Sequence, residues 1–228
     1  MKDVNFKPTE DTLFLEEEHI ILKDQIKKFV ETEVKPEGLK WEADGFIPRE
    51  IFKKMGALGF LGITYPTEFG GSEMDVRGSV IFAEELGKST FSGFAIASLV
   101  HTDMASVHLL NAGNKEQKEM YLSDIVAGNK ISCVAVTEPH AGSDVKNIKT
   151  KAQKVGNKYL INGSKIFITN GVHADIYFVA AKTSDGSQQS GNITMFIVKK
   201  DNPGLIVNKQ LDKHGWRCSD TAELFFQD

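Results

Sequence analysis

Two cysteines in 228 residues, Cys133 and Cys218, are too few and too widely spaced for a zinc site or a disulfide framework. Reduced thiols in or near a core are expected instead. Charge of one sign is also lacking. Lysines and arginines number 27 against 31 aspartates and glutamates, a formal charge of −4 with no basic block, so the chain has no electrostatic footprint for nucleic acid. The opening MKDVNFKPTEDTLFLEEEH has neither a basic stretch leading into an apolar core nor an arginine. That argues against a leader or transit peptide, and with no membrane-spanning run evident it points to the cytoplasm. No Gly-x-Gly-x-x-Gly follows a strand pattern, which speaks against a nicotinamide cofactor held in the usual way. No Gly-x-Ser-x-Gly elbow supports nucleophilic catalysis. Internal repeats and long low-complexity segments are absent too.

What is present is ordinary globular material, 41% hydrophobic and 25% charged, of a length that suits one or two domains. The pattern changes near Ser132, so we expect an α+β chain with a helical domain over 1–131 and a β domain over 132–228. Leu22, Ile26, Phe29 and Val30 form the stripe of a helix from about Glu16 to Val34, closed by Pro36 and Gly38. Pro48 opens a short helix through Ile51, Phe52, Met55 and Leu58. Asp75 opens another through Val80, Ile81 and Leu86, stopped by Gly87. Residues 93–111 are small and apolar nearly all round, as a buried central helix requires. Asn114 and Gln117 make an N-capping pattern for a helix through Met120, Tyr121, Leu122, Ile125 and Val126.

Strand signals follow at 131–136, 149–155, 158–161, 166–169, 176–181 and 193–198, with a Gly156-Asn157 turn and a polar loop from Ser184 to Gly191. An antiparallel β-barrel or sandwich is the expected arrangement. Within this half, Thr137-Glu138-Pro139 ends an apolar run, and His140-Ala141-Gly142-Ser143-Asp144 forms a turn that can offer N–H groups and a hydroxyl to a pyrophosphate. Lys165-Ile166-Phe167-Ile168-Thr169 reads as a strand closed by Asn170-Gly171. Phe167 and Thr169, two apart, are expected on one face, an aromatic and a hydroxyl suited to a flavin ring.

In this order the motifs AVTEPHAGSD and KIFITNG resemble the two flavin-site motifs of the acyl-CoA dehydrogenase family, and the resemblance covers the whole chain. GFIPREIFKKMGALGFLGITYPTEFGG and NAGNKEQKEMYLSDIVAG are similar to the family's N-terminal helices. LDKHGWRCSDTAELFFQD is similar to the last strands of its middle domain, in wording nearest long-chain-type and bacterial members. The resemblance implies FAD as cofactor and α,β-dehydrogenation of an acyl-CoA thioester in fatty acid β-oxidation, with electron-transferring flavoprotein as acceptor and a homotetrameric assembly.

By matched position it implies that Thr137 meets the flavin's pyrimidine edge, that Ser143 contacts the pyrophosphate with Gly142 allowing close approach, that Phe167 packs on the ring and that Thr169 donates near N5. Many members carry tryptophan at the Phe167 position. The acyl chain would run along Ala97, Val100 and Met104, with Ser143 also near the substrate. Glu138 is read as fixing its turn, and Arg217, Ser219 and Asp220 as structural. In the family the glutamate that takes the α-proton sits on a third, helical domain, which should begin where this chain stops at Asp228. A truncated fragment with no catalytic residue of its own, inactive alone, is therefore expected. The alternatives are a non-catalytic flavin- or acyl-CoA-binding module and a related acyl-CoA oxidase. A metal at His101, Asp103 and His108 is disfavoured, because seven helical residues separate the two imidazoles by about 10 Å, far beyond ligand bonds of about 2 Å.

Overall fold

The computed structural model describes residues 14–183 and 192–228, so the polar loop read at Ser184–Gly191 lies outside the described residues. Helix α1 (Glu17–Phe29) buries Leu22, Ile26 and Phe29, and runs on as a wide π turn, Val30–Val34. Pro36 ends it, yet the chain restarts at once as α2 (Gly38–Asp44), a helix the sequence reading passes over. Gly38, read there as a stop, is a close-packing residue: a Cβ on it would lie 2.4 Å from the Phe91 ring. Trp41 on α2 is buried against Phe94, with ring centroids 5.8 Å apart.

Helices α3 (Arg49–Ala57) and α4 (Val76–Gly87) follow, the second capped by Asp75, whose carboxylate accepts from the Arg77 N–H. Leu58 and Val80, expected on those stripes, are exposed. The apolar stretch forms one rod of three parts, α5 (Ser92–Leu99), a π turn (Val100–Ala105) and α6 (Ser106–Ala112). By length and composition it could cross a membrane, but 61% of its apolar window is buried inside the fold, as befits a core helix. Helix α7 (Lys115–Val126) begins with the Asn114–Gln117 capping box.

Among the described residues, seven strands form one sheet: β1 (Ser132–Ala135), β2 (Lys151–Val155), β3 (Lys158–Thr169), β4 (Ile176–Thr183), β5 (Asn192–Lys199), β6 (Leu205–Gln210) and β7 (Thr221–Phe226). Their order is β1-β4-β2-β3-β7-β6, with β5 also on β4. The sheet is mixed, which corrects the antiparallel expectation: β4 runs parallel to both β1 and β2, and the remaining pairs are antiparallel. Tight hairpins enforce antiparallel pairing, whereas β1 and β4 are joined through the β2–β3 excursion, which frees their relative direction.

Strand β3 is continuous where two short strands were expected. Gly163, at φ +154°, carries it through, and a Cβ there would lie 2.4 Å from the Thr150 hydroxyl. The two halves meet along a shared apolar cluster in which Leu109, Leu122, Ile125 and Val126 from α6 and α7 pack with Ile176 and Phe178 of β4.

Candidate functional site

The site is built around an irregularity in β3. Opposite β7, Lys165 pairs with Leu224 and Ile168 with Ala222, so β3 carries one residue more than its partner between these points. Phe167 in this bulge adopts φ +62°, a conformation disfavoured for a side chain with a Cβ, and its ring is 64% exposed. The bulge turns the Ile166 N–H away from the ladder to donate to Thr137 O at 3.0 Å, while Lys165 Nζ donates to Val136 O at 2.8 Å. These two bonds draw the end of the β1 segment against the bulge. Phe167 and Thr169 do share one space, as expected, but through a bulge that re-aims the chain and not through simple alternation.

That space is a half-open cavity of about 450 Å³, walled on one side by Thr137, Phe167 and Thr169 and on the other by the central rod. The rod contributes Val100, Asp103, Met104, Val107 and His108, the i, i+3, i+4, i+7, i+8 stripe of a single helical face. Side chains add bonds to the carbonyls of its π turn. Thr102 O accepts from the Tyr65 hydroxyl at 2.7 Å, and His101 O accepts from Ser106 Oγ at 2.5 Å. His101 itself is fully buried. Its Nδ1 accepts from the Ser132 N–H at 3.1 Å and its Nε2 donates to Ile125 O at 3.1 Å, so partner chemistry fixes the neutral tautomer. Burial pushes its pKa down to about 4. It ties the rod to β1 and α7 and is no ligand.

The loop after Thr137 is held by Glu138. Burial would raise the pKa of this carboxyl, but it is held down to about 2 by donors: the N–H groups of Lys149 (2.5 Å) and Thr150 (3.0 Å) and the Lys165 ammonium (2.8 Å). Glu138 therefore clamps its turn. Beyond it, Gly142 and Ser143 are on the loop's outer side, apart from the cavity. Their N–H groups have no protein acceptor among the described residues, and a Cβ on Gly142 would meet open space.

Of the residues expected at the site, the cavity gathers Val100, Met104, Thr137, Phe167 and Thr169. Ala97 lies elsewhere, fully buried, with its carbonyl accepting from Asn170 Nδ2 at 2.9 Å. Arg217 pairs with Asp212 at 2.9 Å, and Asp220 Oδ1 accepts from the Val172 N–H at 2.7 Å. Ser219 is buried, and its hydroxyl has no partner among the described residues. The sequence reading did not place Asp103, Val107 or His108 on a common wall, although the stripe spacing carries that information.

The chain matches the acyl-CoA dehydrogenase N-terminal domain over residues 16–129 and the acyl-CoA dehydrogenase middle domain over residues 133–228. It is 38% identical over 225 residues to the mitochondrial isovaleryl-CoA dehydrogenase of Pongo abelii, covering 97% of this chain and 53% of that one. The solved structure of an acyl-CoA dehydrogenase from Geobacillus kaustophilus is similar with a TM-score of 0.89 at 41% identity, over 94% of this chain and 56% of that one. That of a Bacillus anthracis acyl-CoA dehydrogenase complexed with FAD is similar with a TM-score of 0.86 at 32% identity, over 95% and 36%. The chain spans about half the length of the curated relatives it matches. Since the matches run through both the helical wall and the bulged strand that enclose the cavity, this chain belongs to the acyl-CoA dehydrogenase family.

Proposed function

We propose that this chain holds FAD and the acyl part of a CoA thioester for α,β-dehydrogenation. The observation that carries the reading is the convergence of Thr137, Phe167 and Thr169 on one cavity against an apolar helical wall. The residues present fit a flavin. Phe167 offers an exposed flat face at a strained backbone position, a cost that a ring-binding role explains and packing within the chain does not. The N–H groups of Gly142 and Ser143, exposed and without a protein acceptor among the described residues, suit an anionic pyrophosphate.

Bound FAD would supply the hydride acceptor. Phe167 would then cover the ring, Thr137 and Thr169 would offer hydroxyls to its polar edge, and Val100, Met104 and Val107 would exclude water from the acyl chain. Glu138 is unsuited to take a proton, because its carboxylate is already engaged by Lys165 and two backbone donors. Electron-transferring flavoprotein as the acceptor and a homo-oligomeric assembly are proposed with this reading on family resemblance alone.

Titrating the purified chain with FAD, followed by flavin absorbance and fluorescence, tests the reading. Saturable binding with a perturbed spectrum is expected. A folded chain that leaves the spectrum unchanged overturns it.

A further inference from the structure

The stripe on the central rod reads Val100, Asp103, Met104, Val107, His108. A carboxylate at one of these positions departs from the pattern, since a cavity-facing stripe otherwise takes apolar residues. Asp103 is exposed, on the open side of the cavity. It is the only carboxylate lining the cavity among the described residues, and its Oδ2 accepts from Thr102 Oγ1 at 2.6 Å, which fixes its direction. No lysine or arginine lines the cavity among the described residues. The other titratable lining group, His108, is held below its ordinary pKa by burial and stays neutral at neutral pH. The remaining polar groups are the hydroxyls of Thr137 and Thr169 and backbone atoms. The cavity thus presents one negative charge on its open side, beside the apolar walls that an acyl chain would follow.

Resting on the function proposed above, we propose that Asp103 is a selectivity residue that rejects acyl groups ending in a carboxylate and admits neutral-ended acyl groups of the same length. A methyl-ended chain meets Val100, Met104 and Val107 and leaves Asp103 solvated on the open side. A carboxylate-ended chain brings a second anion beside the first with no cation to offset it. Selectivity then arises from a repulsive element and not from an added attraction.

The test is calorimetric titration of the FAD-loaded chain with octanoyl-CoA and with its ω-carboxylated counterpart of equal carbon count. In the unaltered protein the carboxylated thioester should bind at least about tenfold more weakly. Asp103→Asn should narrow the gap to about threefold or less by tightening the carboxylated ligand alone, and Asp103→Lys should reverse the order. Equal affinities in the unaltered protein, or a gap untouched by Asp103→Asn, overturn the role of Asp103 while leaving the function standing. Failure of the FAD-loaded chain to bind either thioester overturns both.

Discussion

At the scale of single residues, the buried polar groups are where sequence and geometry meet most tightly. Glu138 and Lys165 are each almost wholly inaccessible and lie 2.8 Å apart, and burial lowers the Lys165 pKa while Glu138 opposes the shift. Such a pair adds little net stability, but removing one partner strands the other, which makes it a device for fixing one loop geometry. His101 has a sharper consequence. Its pKa falls from 6.5 to about 4 on folding because burial disfavours the imidazolium. The unfolded chain therefore binds the proton more readily, and the stability His101 contributes is complete above pH 6.5 and lost as pH falls toward 4. The slope is about 1.4 kcal/mol per pH unit in that window. Urea denaturation at pH 7, 6 and 5 should show the native chain losing stability faster than His101→Gln by about that slope. Parallel pH profiles would refute the assignment.

At the scale of elements, the bulge in β3 and the π turn in the central rod place the cavity walls, and both are departures from regularity. The bulge holds Phe167 at φ +62° with its ring exposed. Phe167→Gly removes a side chain that packs on little and relieves the strained conformation, so it should leave stability unchanged or raise it by about 1 kcal/mol. The same change should weaken FAD binding, and opposite signs in melting temperature and flavin affinity are the expected signature. A variant that loses both would mark Phe167 as a packing residue.

These irregularities also show what the sequence could reveal. Regular elements were legible: the α1 stripe, the Asn114–Gln117 cap and the apolar rod all follow from spacing and capping chemistry. The bulge was not, because the period-2 reading of Phe167 and Thr169 gives the same shared face without it. Helix α2 was hidden because Gly38 reads as a terminator, whereas its role is set by a distant ring, Phe91, that no local pattern announces. The parallel pairing of β4 depends on strands remote in sequence. The spacing alone puts Asp103 on the rod's stripe, but that this stripe faces a cavity emerged only with the β3 bulge opposite.

At the scale of the whole molecule, the cavity exists only while the helical half and the sheet keep their mutual position, so the bonds between them matter more than their number suggests. Asn170 is buried at φ +63°, and its amide donates to Ala97 O on α5 at 2.9 Å and to Ser132 O on β1 at 3.3 Å. Arg49 on α3 donates to His173 O at 3.0 Å and pairs with Asp175, whose carboxylate also accepts from the Ile131 N–H at 2.8 Å. With the apolar cluster of α6, α7 and β4, these contacts should make the two halves open together. Hydrogen exchange at α5 and β4 should therefore report one opening free energy in the native chain.

Asn170→Ala removes two buried hydrogen bonds and puts a residue less tolerant of positive φ into that conformation, at a cost of about 2–4 kcal/mol. Asn170→Gly relieves the backbone but still loses the bonds, and separates the two contributions. If the coupling runs through Asn170, both variants should lower protection at α5 more than at β4, because β4 keeps its pairing with β5 along its full length. An equal fall in both elements would mean that the apolar cluster alone joins the halves and that Asn170 serves only its own turn.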